Sequence, residues 1–316
     1  MNKDLLVIAL GGNALLSKGQ KGTFEEQYRN IKEASSNLVD LLELGYKIVI
    51  THGNGPQVGS TLLRHEAGYR VYDIPPFPMH ACVAETQGFI GYIIQQAVQN
   101  ELNKRGIRSN AVTVITRVEV DPNDPAFKNP SKPVGPYYTQ EEVRRLMSEN
   151  PEFTYAEDSG RGWRRVVPSP LPLDIKEKDA IKLLVDAGFL VISTGGGGIP
   201  VMGKVEASGL DAVIDKDLAG QKLGSLLGAS KFIMLTDVDA AYLNFGSPSQ
   251  RRLNFVKYSE MKKYYDEGHF RSGSMGPKVK ASLKFIEEGG AEAVIAHLKS
   301  VKKALMHGDG THVVPD

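Results

Sequence analysis

The chain has 316 residues, 41% of them hydrophobic and 24% charged, enough to bury a large core in one α/β domain or two lobes. Its 38 Lys and Arg against 37 Asp and Glu leave a formal net charge of +1, so nucleic acid is not an expected partner and any anion binding must be local. The single cysteine, Cys82, excludes an intramolecular disulfide and a cysteine-based zinc site, and no apolar stretch approaches the ~18 residues of a membrane span, which points to a cytoplasmic protein without a membrane partner.

Along the chain, apolar runs alternate with segments of helical period. Residues 5–10 read as a strand running into Gly11-Gly12-Asn13. Phe24, Tyr28, Ile31, Leu38, Leu41 and Leu42 mark the inner face of a helix ending at Gly45, and a strand over 46–51 leads to Gly53-Asn54-Gly55. A long helix over 81–105 stops at Gly106, and a strand follows over 110–116. Nine prolines between 117 and 172 break the alternation and predict an excursion over the cleft, a lid made of a hairpin and a short helix over 139–147.

Alternation resumes with a helix over 175–187 capped by Gly188 and a strand over 189–193 that enters a third turn, Gly195 to Gly198. A helix over 216–227, a strand over 231–236, a loop through Asp237 and Tyr242, a helix after Pro277 and a strand over 293–296 complete the series. Such strands with crossover helices predict a mainly parallel open sheet in a three-layer αβα sandwich, with ligands at the carboxyl ends of its strands, where all three glycine turns fall. The expected organisation is one domain over 1–316, an N-terminal lobe over about 1–188 carrying the lid at about 117–172, and a C-terminal lobe over about 189–316.

A strand, a glycine turn and a helix aim backbone N–H groups at an anion. Three such turns beside two lysine-bearing strings, Ile214-Asp215-Lys216-Asp217 and Gly273 to Lys278, suggest a site for several phosphate or carboxylate charges, and hence phosphoryl transfer. There is no G-x-x-x-x-G-K-[ST], H-R-D or D-F-G string, and Gly53 to Gly59 misses G-x-G-x-x-G by one residue. Gly11, Gly12 and Asn13 are placed to offer amides to a terminal phosphate, and Gly53, Asn54 and Gly55 to a small anionic acceptor. Lys216 and Lys278 are the obvious cations, with Asp217 holding Lys216. No His or Glu in these strings reads as a dedicated base, and His52 reads as a loop histidine; an acceptor that is already an anion needs no deprotonation. Each piece also has a plainer structural reading, for glycine serves ordinary turns and a lysine at a helix start can be a solvated ion-pair partner.

At these residues the chain resembles a known family. Ile8-Ala9-Leu10-Gly11-Gly12-Asn13-Ala14, Thr51-His52-Gly53-Asn54-Gly55-Pro56-Gln57-Val58-Gly59, Asn129-Pro130-Ser131-Lys132-Pro133-Val134-Gly135-Pro136, Gly160-Arg161-Gly162-Trp163-Arg164, Val213 to Ala219 and Gly273 to Lys278 are similar to strings of the carbamate kinases, in the amino acid kinase superfamily. The resemblance runs the whole length. It implies reversible transfer between ATP plus carbamate and ADP plus carbamoyl phosphate, with Mg²⁺ carried on the nucleotide phosphates, no metal ligand assigned in the protein, and a homodimer.

By this resemblance Gly11, Gly12 and Asn13 would cradle the transferred phosphoryl group, and Gly53, Asn54 and Gly55 would hold carbamate. Lys132 would reach in from the lid, Lys216 and Lys278 would neutralise transition-state charge, and Asp217 would orient them. Gly196, Gly197, Asp237, Tyr242 and Met275 would contact the nucleotide. Two other readings stand beside it: a kinase of the same fold acting on a larger acid or phosphate such as acetylglutamate or isopentenyl phosphate, and a non-catalytic nucleotide-binding regulator. The direction also stays open, between ATP generation in arginine or purine catabolism and supply of carbamoyl phosphate.

Overall fold

A computed structural model describes residues 4–17, 19–158, 162–203, 205–270 and 274–316, and only the backbone of Asn13. Gly160, Arg161 and Gly273 of the strings above lie outside the described residues.

Eight strands form the central sheet, in the order Phe255–Lys257, Thr311–Val314, Glu292–His297, Lys231–Thr236, Leu5–Leu10, Lys47–His52, Leu190–Ile192 and Ala111–Thr113. Neighbours are parallel except Glu292–His297 with Thr311–Val314. Successive residues of a strand point to opposite faces, so each apolar run feeds two cores. Val7, Ala9, Val49, Phe232 and Met234 pack with Leu218 and Leu223 of the helix Lys216–Leu227 and with Val279 and Phe285 of the helix Met275–Glu287. Leu6, Ile8, Ile48, Ile50 and Ile233 pack on the other face with Ile31 and Leu38 of the helix Phe24–Glu43 and with Ile90 and Ile94 of the helix Met79–Lys104. This is the expected three-layer αβα sandwich. Among the described residues, no helix is long and apolar enough to cross a membrane.

The structure departs from expectation around the excursion. The helix expected from 175 begins at Lys178, because Asp174–Ile175 pairs as a short strand with Arg117–Glu119. Together with Ile199–Met202 and Ser208–Gly209 these form a second, four-stranded sheet. The third glycine turn therefore runs into a strand, Ile199–Met202, and not into a helix. Positive φ at Gly196, Gly197 and Gly198 (65°, 91° and 85°) reverses the chain in a way that a right-handed helix cannot continue.

Beyond Arg117–Glu119 the excursion forms a three-stranded antiparallel sheet, ordered Lys132–Tyr138, Trp163–Val167 and Thr154–Glu157. It carries the helix Gln140–Glu149, which starts at a capping box between Thr139 and Glu142. Its root is firmly seated. Val134 and Val167 are buried with Val58, Val83 and Val213, and Gly59 of the helix Gly55–Tyr72 lies directly on Gly135. A Cβ on Gly59 would stand 2.1 Å from the Gly135 Cα, so alanine there must push the strand Lys132–Tyr138 away.

Gly59→Ala is therefore expected to destabilise the protein by roughly 1–3 kcal/mol, as overpacking does. It should also shift the emission of Trp163, the sole tryptophan, which lies on the neighbouring strand Trp163–Val167. Gly88→Ala, a helical site with open space around its Cβ, is the control and should do neither; equal behaviour of the two would remove the Gly59–Gly135 seat.

Candidate active site

The helix Lys216–Leu227 starts where it does because Asp215 caps it: Oδ1 accepts from the N–H groups of Asp217 at 2.9 Å and Leu218 at 3.3 Å. That cap places Lys216 and Asp217 in the first turn. Lys216 Nζ donates to Asp217 Oδ1 at 2.5 Å, and Lys278 Nζ, from the helix Met275–Glu287, donates to Oδ2 at 2.9 Å. The strand Lys132–Tyr138 of the excursion adds Lys132, whose Nζ donates to Asp215 Oδ2 at 2.6 Å. Three ammonium groups thus meet two carboxylates, leaving one positive charge over.

Burial sharpens these pairings, for the Asp217 side chain is only 4% exposed. Burial opposes its ionisation, but Lys216 and Lys278 outweigh that and hold its carboxyl well below the usual range. Burial also works against the charge of Lys278, yet Asp217 prevails and raises its pKa. At Lys216 the balance reverses: burial, helped by Lys278, outweighs Asp217 and lowers the pKa. An arriving anion would therefore favour the charged form of Lys216. For Asp215, burial is again overcome, chiefly by Lys132, and the carboxyl is held low.

The first two glycine turns converge on this cluster. A Cβ on Gly53 would lie 3.1 Å from Lys216 Cδ and 4.0 Å from the Gly12 nitrogen. Gly12 and Asn13 open a 3₁₀ turn, Gly12–Ala14, whose first amides have no acceptor within the turn. Gly55 opens the 18-residue helix Gly55–Tyr72 with no side-chain cap, because the Asn54 amide donates instead to Thr86 Oγ1 at 2.9 Å. Uncapped first amides of a long helix favour an anion.

Two expected donors need correction. The Gly11 N–H goes to the Leu235 carbonyl at 2.9 Å, and the Gly53 N–H to the Leu10 carbonyl at 3.3 Å. Both glycines serve close approach, since a Cβ on Gly11 would stand 2.7 Å from the Leu235 oxygen.

The third turn is corrected too. Gly196 and Gly197 are buried beneath the second turn, where a Cβ would meet the Asn54 side chain at 2.2 Å and the Ile214 carbonyl oxygen at 2.2 Å. Their missing side chains admit those groups, so they support Asn54 rather than stand open to a nucleotide. Asp237 is exposed just past the strand Lys231–Thr236, and Met275 is half-buried at the start of the helix that carries Lys278. The Tyr242 hydroxyl already donates to Asp239, at 2.8 and 3.0 Å from its two oxygens.

Sequence reasoning gave no role to Asp215, although an aspartate just before a helix start is a capping signal. It also missed a buried polar frame behind the turns. Gln87 exchanges hydrogen bonds with the Thr116 backbone, Thr116 Oγ1 accepts from the Thr194 N–H, and Thr51 Oγ1 donates to the Thr194 carbonyl. Thr194 is held at φ 49°, a conformation that threonine adopts only under such constraint. His52 is buried, which lowers its pKa to about 4, so it is neutral at physiological pH and a poor base. Among the described residues, no group of three or more His, Cys, Asp or Glu is placed to hold a metal ion.

Residues 4–297 match the amino acid kinase family. A curated carbamate kinase of Pyrococcus furiosus is 53% identical over 311 residues, which is 98% of this chain and 99% of that one. Among solved structures, carbamate kinase from Giardia lamblia bound to AMP-PNP aligns with a TM-score of 0.92 at 45% identity, covering 100% of this chain and 99% of its own. A structure of the Giardia lamblia enzyme thiocarbamoylated by disulfiram on a cysteine aligns with a TM-score of 0.90 at 44% identity, covering 100% of both chains.

Here the only cysteine is buried Cys82, whose thiol is pushed up to about 11 by burial and then by the charges of Glu85 and Asp211. Disulfiram should accordingly leave the intact mass of the native chain unchanged at neutral pH and add one adduct after denaturation. An adduct on the native chain would contradict that burial.

Proposed function

The chain belongs to the amino acid kinase family, and from that premise we propose that its cleft transfers a phosphoryl group reversibly between ATP and carbamate, yielding ADP and carbamoyl phosphate. The observation that carries this reading is the lysine–aspartate cluster with one uncompensated positive charge, set against uncapped amides of Gly12, Asn13 and Gly55. Full-length likeness to carbamate kinases narrows the acceptor.

The chemistry follows from the charges. Carbamate is already an anion and attacks without a base, so the site needs only to align donor and acceptor and to neutralise the oxygens of the moving phosphoryl group. The amides of Gly12 and Asn13 take oxygens of that group, with Gly11 shaping the turn. Asn54 and Gly55 hold carbamate beside Gly53. Lys216 and Lys278 supply positive charge, Asp217 fixes both, and Lys132 closes the site from the lid. Mg²⁺ arrives with the nucleotide as part of the substrate, on the hard phosphate oxygens that it prefers. Asp237, Tyr242 and Met275 flank the nucleotide side.

In this reading residues of about 1–188 form the carbamate side, those of about 189–316 the nucleotide side, and the enzyme works in the cytoplasm. It also self-associates as a homodimer. Exposed Phe24, Phe89 and Tyr92 form one aromatic cluster across two helices, with ring centroids 6.4 Å apart for Phe24–Phe89 and for Phe24–Tyr92, an apolar surface suited to a second copy. Light scattering at twice 34.5 kDa is expected, and a mass of 34.5 kDa would dismiss the dimer.

The acceptor is tested by assaying ADP with carbamoyl phosphate beside ATP with carbamate, N-acetylglutamate or isopentenyl phosphate. Turnover confined to the carbamate pair is expected. Turnover of a longer acid or phosphate would place the chain with another kinase of this fold, and nucleotide binding with no turnover would make it a regulator.

A further inference from the structure

We infer that Asp215 is a positioning residue that ties the lid to the cation cluster by aiming Lys132 at the transferred phosphoryl group. The inference rests on the reading above, in which Lys132 closes the site from the lid, and adds that its ammonium group meets that phosphoryl group.

The two oxygens of one carboxylate serve two parts of the molecule. Oδ1 caps the helix that bears Lys216 and Asp217, while Oδ2 holds Lys132 on the lid strand Lys132–Tyr138. The side chain of Asp215 is 13% exposed and that of Lys132 31%, so the carboxylate is the more enclosed partner of the pair. An ammonium group has three N–H donors. One goes to Asp215, which leaves two for phosphoryl oxygens.

The backbone makes the same connection. The Val213 N–H donates to the Pro168 carbonyl at 3.0 Å, the Ser131 N–H donates to the Val167 carbonyl at 3.2 Å, and Lys132 pairs with Val167 in the lid sheet. Residues 213–217 thus run from the root of the lid to the catalytic lysines. Lys216, Asp217 and Lys278 are the other charged groups that act on Asp215; Asp217 repels it, and Lys216 and Lys278 attract it. Lys132 is its only partner from the lid among the described residues.

Asparagine caps a helix about as well as aspartate, so Asp215→Asn removes the charge that holds Lys132 while keeping the helix start; Asp215→Ser is a second variant with the same property. The expected result is a kcat about 10²-fold lower, the scale of a misplaced catalytic group, with the KM for ADP nearly unchanged and a thermal midpoint lowered less than in Asp217→Asn. Because Asp215 acts through Lys132, Asp215→Asn should cost nothing more in a Lys132→Met background. Wild-type kcat in both Asp215 variants, or losses that multiply in the double variant, would overturn the inference. A Lys132→Met enzyme with undiminished kcat would overturn the role of Lys132 as well, whereas an impaired Lys132→Met beside fully active Asp215 variants overturns the inference alone.

Discussion

Asp217→Asn is expected to destabilise the protein by about 3–5 kcal/mol and to lower kcat by roughly 10²–10³-fold, a double loss that sets it apart from other substitutions in the cleft. Its carboxylate is 4% exposed and accepts from both Lys216 and Lys278. An amide in its place leaves two ammonium groups side by side in a buried site, with only Asp215, already paired with Lys132, to offset them. Lys216, already lowered in pKa by burial and by Lys278, would be driven further toward its neutral form, and the transition state would lose charge where it needs it.

The pH dependence follows from the sign of the Asp217 shift. Its folded carboxyl lies below the unfolded value, so its contribution is complete above the unfolded carboxylate pKa of about 4 and fades as pH falls through the folded value. Urea denaturation of wild type and variant should therefore differ most near neutrality and converge in acid. Equal midpoints at pH 7 would contradict the account.

Lys216→Met is expected to separate what Asp217→Asn combines. Removing Lys216 leaves Asp217 paired with Lys278, and it removes a charge that burial already disfavours. Methionine retains an apolar stem in that space. The thermal midpoint should stay within about 3 °C of wild type or rise, while kcat falls by roughly 10³-fold, the scale seen when a main electrostatic stabiliser of a transition state is lost. If Lys216 were a purely structural partner of Asp217, activity would instead track stability across the two variants. Melting curves and steady-state ATP formation on the same preparations decide between these.

Much of the sheet was legible because strands covered on both faces are unbroken apolar runs: Leu5–Leu10 and Lys231–Thr236 appear at their observed bounds. The helix Lys216–Leu227 was legible at its observed bounds, although the aspartate that caps it, Asp215, was not read as a cap. The strand Asp174–Ile175 was not, since two residues carry no period and its pairing with Arg117–Glu119 lies far along the chain.

The site divides in the same way. That the glycine turns gather near Lys216 could be anticipated from their places at strand ends. What each glycine does could not. Gly59 is required by Gly135, Gly196 by the Asn54 side chain, and Gly11 by the Leu235 carbonyl, all distant partners that local propensity does not encode. The Lys132–Asp215 pair spans 83 positions and was invisible for the same reason.

The measurement that bears most directly on the proposed reaction is luciferase-coupled formation of ATP from ADP, Mg²⁺ and fresh carbamoyl phosphate, with Lys216→Met run alongside. Sustained ATP formation by the wild-type chain and a rate roughly 10³-fold lower in the folded variant is the predicted result. No ATP from a folded, nucleotide-binding wild-type chain, or equal rates in the two proteins, would contradict the assignment of phosphoryl transfer to this cluster.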